Sequence, residues 1–281
     1  MSIWDTIKEP NPVIDFYKKF VEIGFNGYLL WDKLKADYFL RQLPNNTLYK
    51  FISFGNDDLV NTNKLSTLEN KCLWFAPHHV FTDNDQTEFQ IYADTNAIAQ
   101  KTGYRKEDID NLLIAVRDVN DICCLSDRNS EYMWDNYANF HSGICCVFEV
   151  IKTNDLWPVL YCNKKHVDFT SEIISGLNNA DDSSLCMQTL AFISPVLKDE
   201  CHYKMENEVR LLNGDAYWSM ENPLGGILEP NKKESLGYVG RRVSWESYGL
   251  KLKKIIIGKE TPAWIENSIR AMQLGCIIVN E

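Results

Sequence analysis

The chain is short of positive charge: 29 Lys and Arg stand against 39 Asp and Glu, a formal net charge of −10. A surface of that sign repels phosphate backbones, so broad coating of nucleic acid is disfavoured and only a local basic groove stays open to it. Long apolar runs are absent as well. No stretch approaches the roughly 20 residues that span a bilayer, and the opening MSIWDTIKEPNP carries no signal-peptide core. The composition excludes collagen, a coiled-coil rod and a disordered tail. None of the 9 cysteines stands at C-x-x-C spacing from another, so neither a zinc knuckle nor a thioredoxin-type pair is legible. G-x-S-x-G, P-loop and G-x-G-x-x-G motifs are all missing.

What remains is ordinary globular material with a generous aromatic share. The 281 residues are 45% hydrophobic and 12% aromatic, enough for a sizeable core in one large domain or two small ones. Cys123, Cys124, Cys145 and Cys146 lie within apolar runs, where thiols act as small hydrophobes. A reducing cytoplasm suits such a set.

Asn11-Pro12 opens a helix, with Val13, Tyr17, Phe20 and Val21 on one face. A second amphipathic helix carries Leu30, Leu34 and Tyr38 and ends at Pro44. Residues 1–46 therefore read as an accessory helical hairpin, a surface for a protein partner or a second copy. Residues 47–281 read as a single domain. Strands are expected at 48–54, 72–75, 122–125, 144–150 and 252–257, with a strand pair over 159–169 turning at Lys164-Lys165. Helices are expected at 105–118, 131–140, from 181 to about 198, and after Thr261-Pro262. Helices alternate with strands without repeated βαβ units. This predicts an α+β fold with a mixed, mainly antiparallel sheet and flanking helices.

The segment 203–212 alternates as a strand does. One face would carry Tyr203, Met205, Val209 and Leu211; the other would carry Lys204, Glu206, Glu208 and Arg210. Carboxylates two residues apart on one face lie roughly 6.5–7 Å apart at Cα. Each raises the other's pKa unless a cation such as Arg210 intervenes. Taken alone, the pattern favours a solvated polar face. In the helix at 131–140, Trp134 and Tyr137 are one turn apart and His141 follows by one more. They would form either an aromatic wall for a flat ring or plain core with a helix-terminal histidine. Asp83, Asp85 and Glu88, near His78 and His79, lack the spacing of a calcium loop, and no metal is expected there.

Several blocks, taken in order, resemble a bacterial family catalogued as a domain of unknown function. They are Leu48-Tyr49-Lys50-Phe51, Leu73-Trp74-Phe75-Ala76-Pro77, and Phe81-Thr82-Asp83-Asn84 followed by Glu88. Next come Cys124-Leu125-Ser126 with Met133-Trp134, Tyr137-Ala138, His141 and Gly143, and finally Tyr203, Glu206, Glu208 and Arg210. The likeness covers about 48–258 and implies that the Glu206–Arg210 strand and the Trp134–His141 helix belong to one recurring site. More distantly, the layout is similar to ADP-ribosyltransferase-like domains. That likeness implies NAD as substrate, with Glu208 as main catalytic acid and Glu206 as companion. Tyr49, Lys50, Ser126, Trp134, Tyr137, His141 and Arg210 would bind the dinucleotide, whose ADP-ribose passes to an acceptor the sequence does not name. A toxin or phage-defence role would suit this chemistry. The alternatives are a metal-dependent nuclease or hydrolase built on Asp83, Asp85, Glu88 and His141, and a non-catalytic module that binds a nucleotide or peptide.

Overall fold

The computed structural model describes residues 11–23, 28–81, 89, 91–162, 168–178, 189–199, 203–214 and 232–281. Its strands are β1 (Thr47–Ile52), β2 (Cys72–Pro77), β3 (Asn120–Ser126), β4 (Ile144–Val150), β5 (Leu156–Pro158), β6 (Leu160–Cys162), β7 (Leu197–Asp199), β8 (Glu208–Gly214), β9 (Arg241–Ser244), β10 (Leu250–Ile257) and β11 (Ile277–Asn280). Its longer helices are α1 (Pro12–Ile23), α2 (Tyr28–Gln42), α3 (Asp58–Glu69), α5 (Thr95–Thr102), α6 (Lys106–Asp118), α8 (Thr170–Asn178) and α9 (Ala263–Ala271). The short helices include α4 (His78–Phe81), α7 (Glu131–Tyr137) and a single turn at Lys232–Ser235.

The main sheet has nine strands in the order β11-β10-β4-β1-β3-β2-β9, with β8 and β5 attached beside β3. Only its β10–β11 pair is parallel. The fold is therefore α+β with a mixed, mainly antiparallel sheet, flanking helices and an N-terminal helix pair. β3 is its branch point. It runs along the whole of β8, from Asn120↔Gly214 to Ser126↔Glu208, but meets β1 only at Tyr49↔Ser126.

Strand alternation assigns the core to faces. Cys123 and Leu125 of β3, Cys146 and Phe148 of β4, and Val209 and Leu211 of β8 share one cluster with Ile265 and Ile269 of α9. Neighbouring positions point the other way. Ile122 and Leu212 join a second cluster with Phe16, Tyr17, Phe20, Trp31, Ile109, Trp157 and Val196. Cys145 and Val147 join a third, with Phe51, Met133 and Trp134. The second and third clusters lie on the same face of the sheet, and the seam between them falls where Tyr49 meets Ser126. Both faces of the central strands are covered.

The N-terminal helices contribute to this core. Phe16, Tyr17, Phe20 and Trp31 belong to the second cluster, and Phe39 and Leu43 to the first. The Tyr17 hydroxyl donates to the Pro158 carbonyl at 2.7 Å, and Asn11 caps α1 by accepting from the Val13 amide at 2.9 Å.

Three local expectations change. In place of a hairpin at 159–169, β6 pairs in parallel with β7, and Phe169 leads into α8, whose amides at Ile173 and Thr170 find partners at Phe169 and Asp168. The Lys164-Lys165 turn lies outside the described residues, as do 181–188 of the expected 181–198 helix. Residues 194–196 form a 3-10 turn before β7, with Pro195 interrupting the helix. The strand expected over 203–212 is shorter: Lys204–Glu206 is a 3-10 turn and β8 begins at Glu208.

Candidate active site

The polar residues of β8 are not solvated. Glu206 is 2% exposed, Glu208 6% and Arg210 0%. A stripe of Glu, Arg and Leu would face water on a one-sided sheet. Here β5 covers one edge of β8, and residues 189–199 cover the face that carries Glu208 and Arg210. Asn207 links the 3-10 turn to the strand in the left-handed region, φ 46°, which asparagine tolerates better than most residues. That one residue breaks the extended alternation, so the two carboxyl groups converge on a common cation.

The cation is Lys198 of β7. Its ammonium donates to Glu206 Oε2 and, at 2.8 Å, to Glu208 Oε2. On the other side Arg210 grips Glu208, Nε to Oε1 at 2.6 Å and Nη2 to Oε2 at 3.2 Å, while Nη1 donates to the Pro195 carbonyl at 2.5 Å. The Phe89 ring lies 4.8 Å from the guanidinium carbon, and the Tyr203 ring 4.8 Å from the Lys198 ammonium. The Tyr137 hydroxyl donates to Glu206 Oε1. Behind the carboxylates, the Glu208 amide donates to the Tyr161 hydroxyl at 2.7 Å and the Ser126 hydroxyl to the Glu206 carbonyl at 2.7 Å. The Lys50 ammonium donates to the Cys124 carbonyl at 2.9 Å, on the residue paired with Arg210.

The two glutamates are driven apart in proton affinity. Burial, reinforced by the negative charge of Glu208, pushes the Glu206 carboxyl up to about 7 against the pull of Lys198 and Tyr137. Burial also acts upward on Glu208, but the charges of Arg210 and Lys198 overcome it and hold that carboxyl well below the usual carboxylate range. One acid therefore exchanges its proton near neutrality while its neighbour remains an anion. That is the arrangement acid–base chemistry requires. A cavity of about 200 Å³ opens beside the start of β8, lined by Tyr38, Asp127, Tyr161, Lys204, Asn207 and Glu208 among others.

Of the residues expected to form the site, the structure gathers Glu206, Glu208, Arg210, Tyr137, Ser126 and Lys50 into one network. Tyr49 stands beside it, in register with Ser126. Trp134 and His141 engage each other instead. Their rings stack at 5.4 Å with 3° between planes, and the indole N–H donates to Asn129 at 2.8 Å. His141 Nδ1 meets Glu281 at 2.7 Å, and Nε2 meets Glu131 at 3.1 Å and Asp135 at 3.6 Å.

Two groups among the described residues have the donor composition of a metal site: His78, His79 and Asp118, and Glu131, Asp135 and His141. Asp83, Asp85 and Glu88 lie outside the described residues. Sequence reasoning missed Lys198 and Tyr161. Lys198 had a signal, as the first charge after the largely apolar run Phe192-Ile193-Ser194-Pro195-Val196-Leu197. Tyr161 had none. No family model matches the chain, and neither a curated protein nor a solved structure matches it.

Proposed function

We propose that this protein is an enzyme that breaks the nicotinamide–ribose bond of NAD and passes ADP-ribose to water or to an acceptor. The observation that carries the reading is the split glutamate pair, Glu206 at about 7 and Glu208 held ionised. As the C1′–N bond breaks, its electron pair leaves with the nicotinamide ring and C1′ takes on oxocarbenium character. The incoming oxygen must lose a proton as it bonds to C1′. Ionised Glu206, hydrogen-bonded to Tyr137, takes that proton. Glu208 holds Lys198 and Arg210 in place around it and is a positioning residue. The sequence likeness gives Glu208 the leading role; the geometry supports giving it to Glu206.

The cavity of about 200 Å³ beside Glu208 has room for one ring rather than a whole dinucleotide, so the remainder of NAD would lie over Tyr137, which is 37% exposed. Substrate reaches Glu206 by displacing Tyr137 or Tyr203. A reducing, cytoplasmic setting belongs to this reading and is supported by the absence of disulfides among the described residues. No described helix is long and apolar enough to cross a membrane.

The test is release of free nicotinamide from NAD by the full chain, with Glu206→Gln and Glu208→Gln alongside and a cell lysate as acceptor source. We expect release to rise with pH through about 7, as Glu206 ionises, and Glu206→Gln to lower it by roughly 10²–10⁴-fold. Release that survives in both variants, or none under any condition, defeats the proposal. Turnover that appears only with Mn²⁺ and vanishes in His141→Ala would select the metal-dependent alternative.

A further inference from the structure

A second cavity lies away from the carboxylate network and shares none of its residues. It has a volume of about 410 Å³. Trp31, Trp157 and Phe192 form its aromatic wall; Phe192 stacks on Trp157 at 4.9 Å and meets Trp31 at 6.0 Å. Into this wall α2 sends a lysine. Lys35 is 4% exposed, its nitrogen sits 3.6 Å over the Trp157 ring, and it donates to the Asn154 carbonyl. Asp32 and Asp155 also line the cavity.

A lysine that only anchored α2 to β5 would need no space around it. Here the amine lines a cavity large enough for a small organic molecule. Burial lowers its pKa to about 7, against the attraction of Asp155 and Asp32. Near neutrality half of it is then unprotonated, against about one in three thousand for an ordinary lysine. An unprotonated amine between aromatic rings, with carboxyl groups at hand, has the makings of carbonyl chemistry.

We propose that Lys35 is the nucleophile of a second site, which takes a small, flat, uncharged aldehyde or ketone and holds it as an imine. The Lys35 nitrogen forms a bond to the carbonyl carbon, and the carbonyl π pair moves onto oxygen. Nitrogen gives up both of its protons in turn, the oxygen gains two and leaves as water with the C–O bonding pair, and the nitrogen lone pair closes the C=N bond with no change of oxidation state. Asp155 and Asp32 carry the protons. The same two carboxyl groups disfavour an anionic carbonyl compound, so the site separates neutral aromatic from charged aliphatic partners.

The test treats the full chain with benzaldehyde and cyanoborohydride, which reduces an imine to a stable amine, and locates adducts by peptide mass mapping. Lys35 is expected to carry roughly tenfold or more adduct than the average surface lysine at pH 7, given its larger unprotonated fraction. Labelling should rise with a midpoint near 7, and glyoxylate should label it poorly. Adducts spread evenly over surface lysines, or a Lys35 midpoint in the ordinary lysine range, would overturn the proposal. Lys35→Arg keeps the cation and serves as the unlabelled control, while the wild-type pH profile decides the matter even if that variant fails to fold. The readout does not depend on NAD turnover, so it stands or falls separately from the proposed function.

Discussion

Glu206 makes folding stability depend on pH with a sign opposite to that of an ordinary ion-paired glutamate. Its carboxyl moves from 4.5 to about 7 on folding. Between those values the folded chain keeps a proton that the unfolded chain has lost, so stability falls as pH rises through the window. Below it both states are protonated and the residue contributes nothing; above it the full cost is present. A move from 4.5 to about 7 is worth about 3 kcal/mol, most of which falls between pH 5 and pH 8.

Glu206→Gln removes this titration. The amide accepts from only one of Tyr137 and Lys198, but that loss does not vary with pH. The quantity to follow is therefore the slope: urea unfolding of wild type and variant at pH 5, 6, 7 and 8. The variant should gain on the wild type by about 2–3 kcal/mol across the series. Glu208 does not confuse the reading. Its folded pKa is depressed, so its stabilisation is complete above its unfolded value and is lost only in acid below this range. A stability difference that stays flat from pH 5 to pH 8 would mean that Glu206 is not held protonated, and the general-base role would lose its physical basis.

Other perturbations test the remaining parts of the architecture. Lys198→Met leaves Glu206 with the Tyr137 hydroxyl and Glu208 with Arg210, and removes the cation the two carboxyl groups share. It should cost about 3–5 kcal/mol at pH 8, part of it returned when Glu206→Gln is added, as a double-mutant cycle would measure. At Gly143 an added Cβ would lie 2.2 Å from the Ile52 carbonyl oxygen, whereas at Gly55 nothing lies within 4 Å. Gly143→Ala should therefore destabilise by about 2 kcal/mol or more, and Gly55→Ala by less than about 0.5 kcal/mol, both read as shifts in the urea midpoint. A chain starting at Thr47 loses Phe16, Tyr17, Phe20, Trp31, Phe39 and Leu43 from the core. At about 2 kcal/mol each that equals the entire stability of a typical domain. We expect no cooperative transition by circular dichroism, and a sharp one would show that 47–281 folds without the helices.

The parts of the fold legible in the sequence were those dictated by local rules. Asn11-Pro12 and its 3.6-residue apolar spacing gave α1, and the runs at 144–150 and 252–257 gave β4 and β10 in the positions observed. α5 and α8 were not legible. Their sequences, TNAIAQKT and TSEIISGLN, hold few apolar residues, and each is fixed by contacts at its start: Asp94 capping Ala97, and Asp168 receiving the Thr170 amide. The residue types of the candidate site were visible, but its connectivity was not. Lys198 meets partners 8 and 10 positions further along the chain, and Tyr137 meets Glu206 at a separation of 69. No periodicity encodes contacts of that kind.

The alternation at 203–212 was the strongest short-range signal near the site, and it failed at Glu206-Asn207. Had it held, both carboxyl groups would have stood on one extended face some 6.5–7 Å apart at Cα, free to hydrate and to titrate as ordinary acids. The left-handed Asn207 instead folds Glu206 back under Tyr137 and onto the cation that Glu208 already uses. The departure from local rule and the division of proton affinity thus have one cause. Asn207→Ala, which lacks the side chain that eases a positive φ, should weaken the turn by about 1 kcal/mol. If that turn splits the pair, the variant's nicotinamide-release profile should also move its midpoint from about 7 toward the ordinary carboxylate range; an unmoved midpoint would show that burial alone, and not the turn, sets the proton on Glu206.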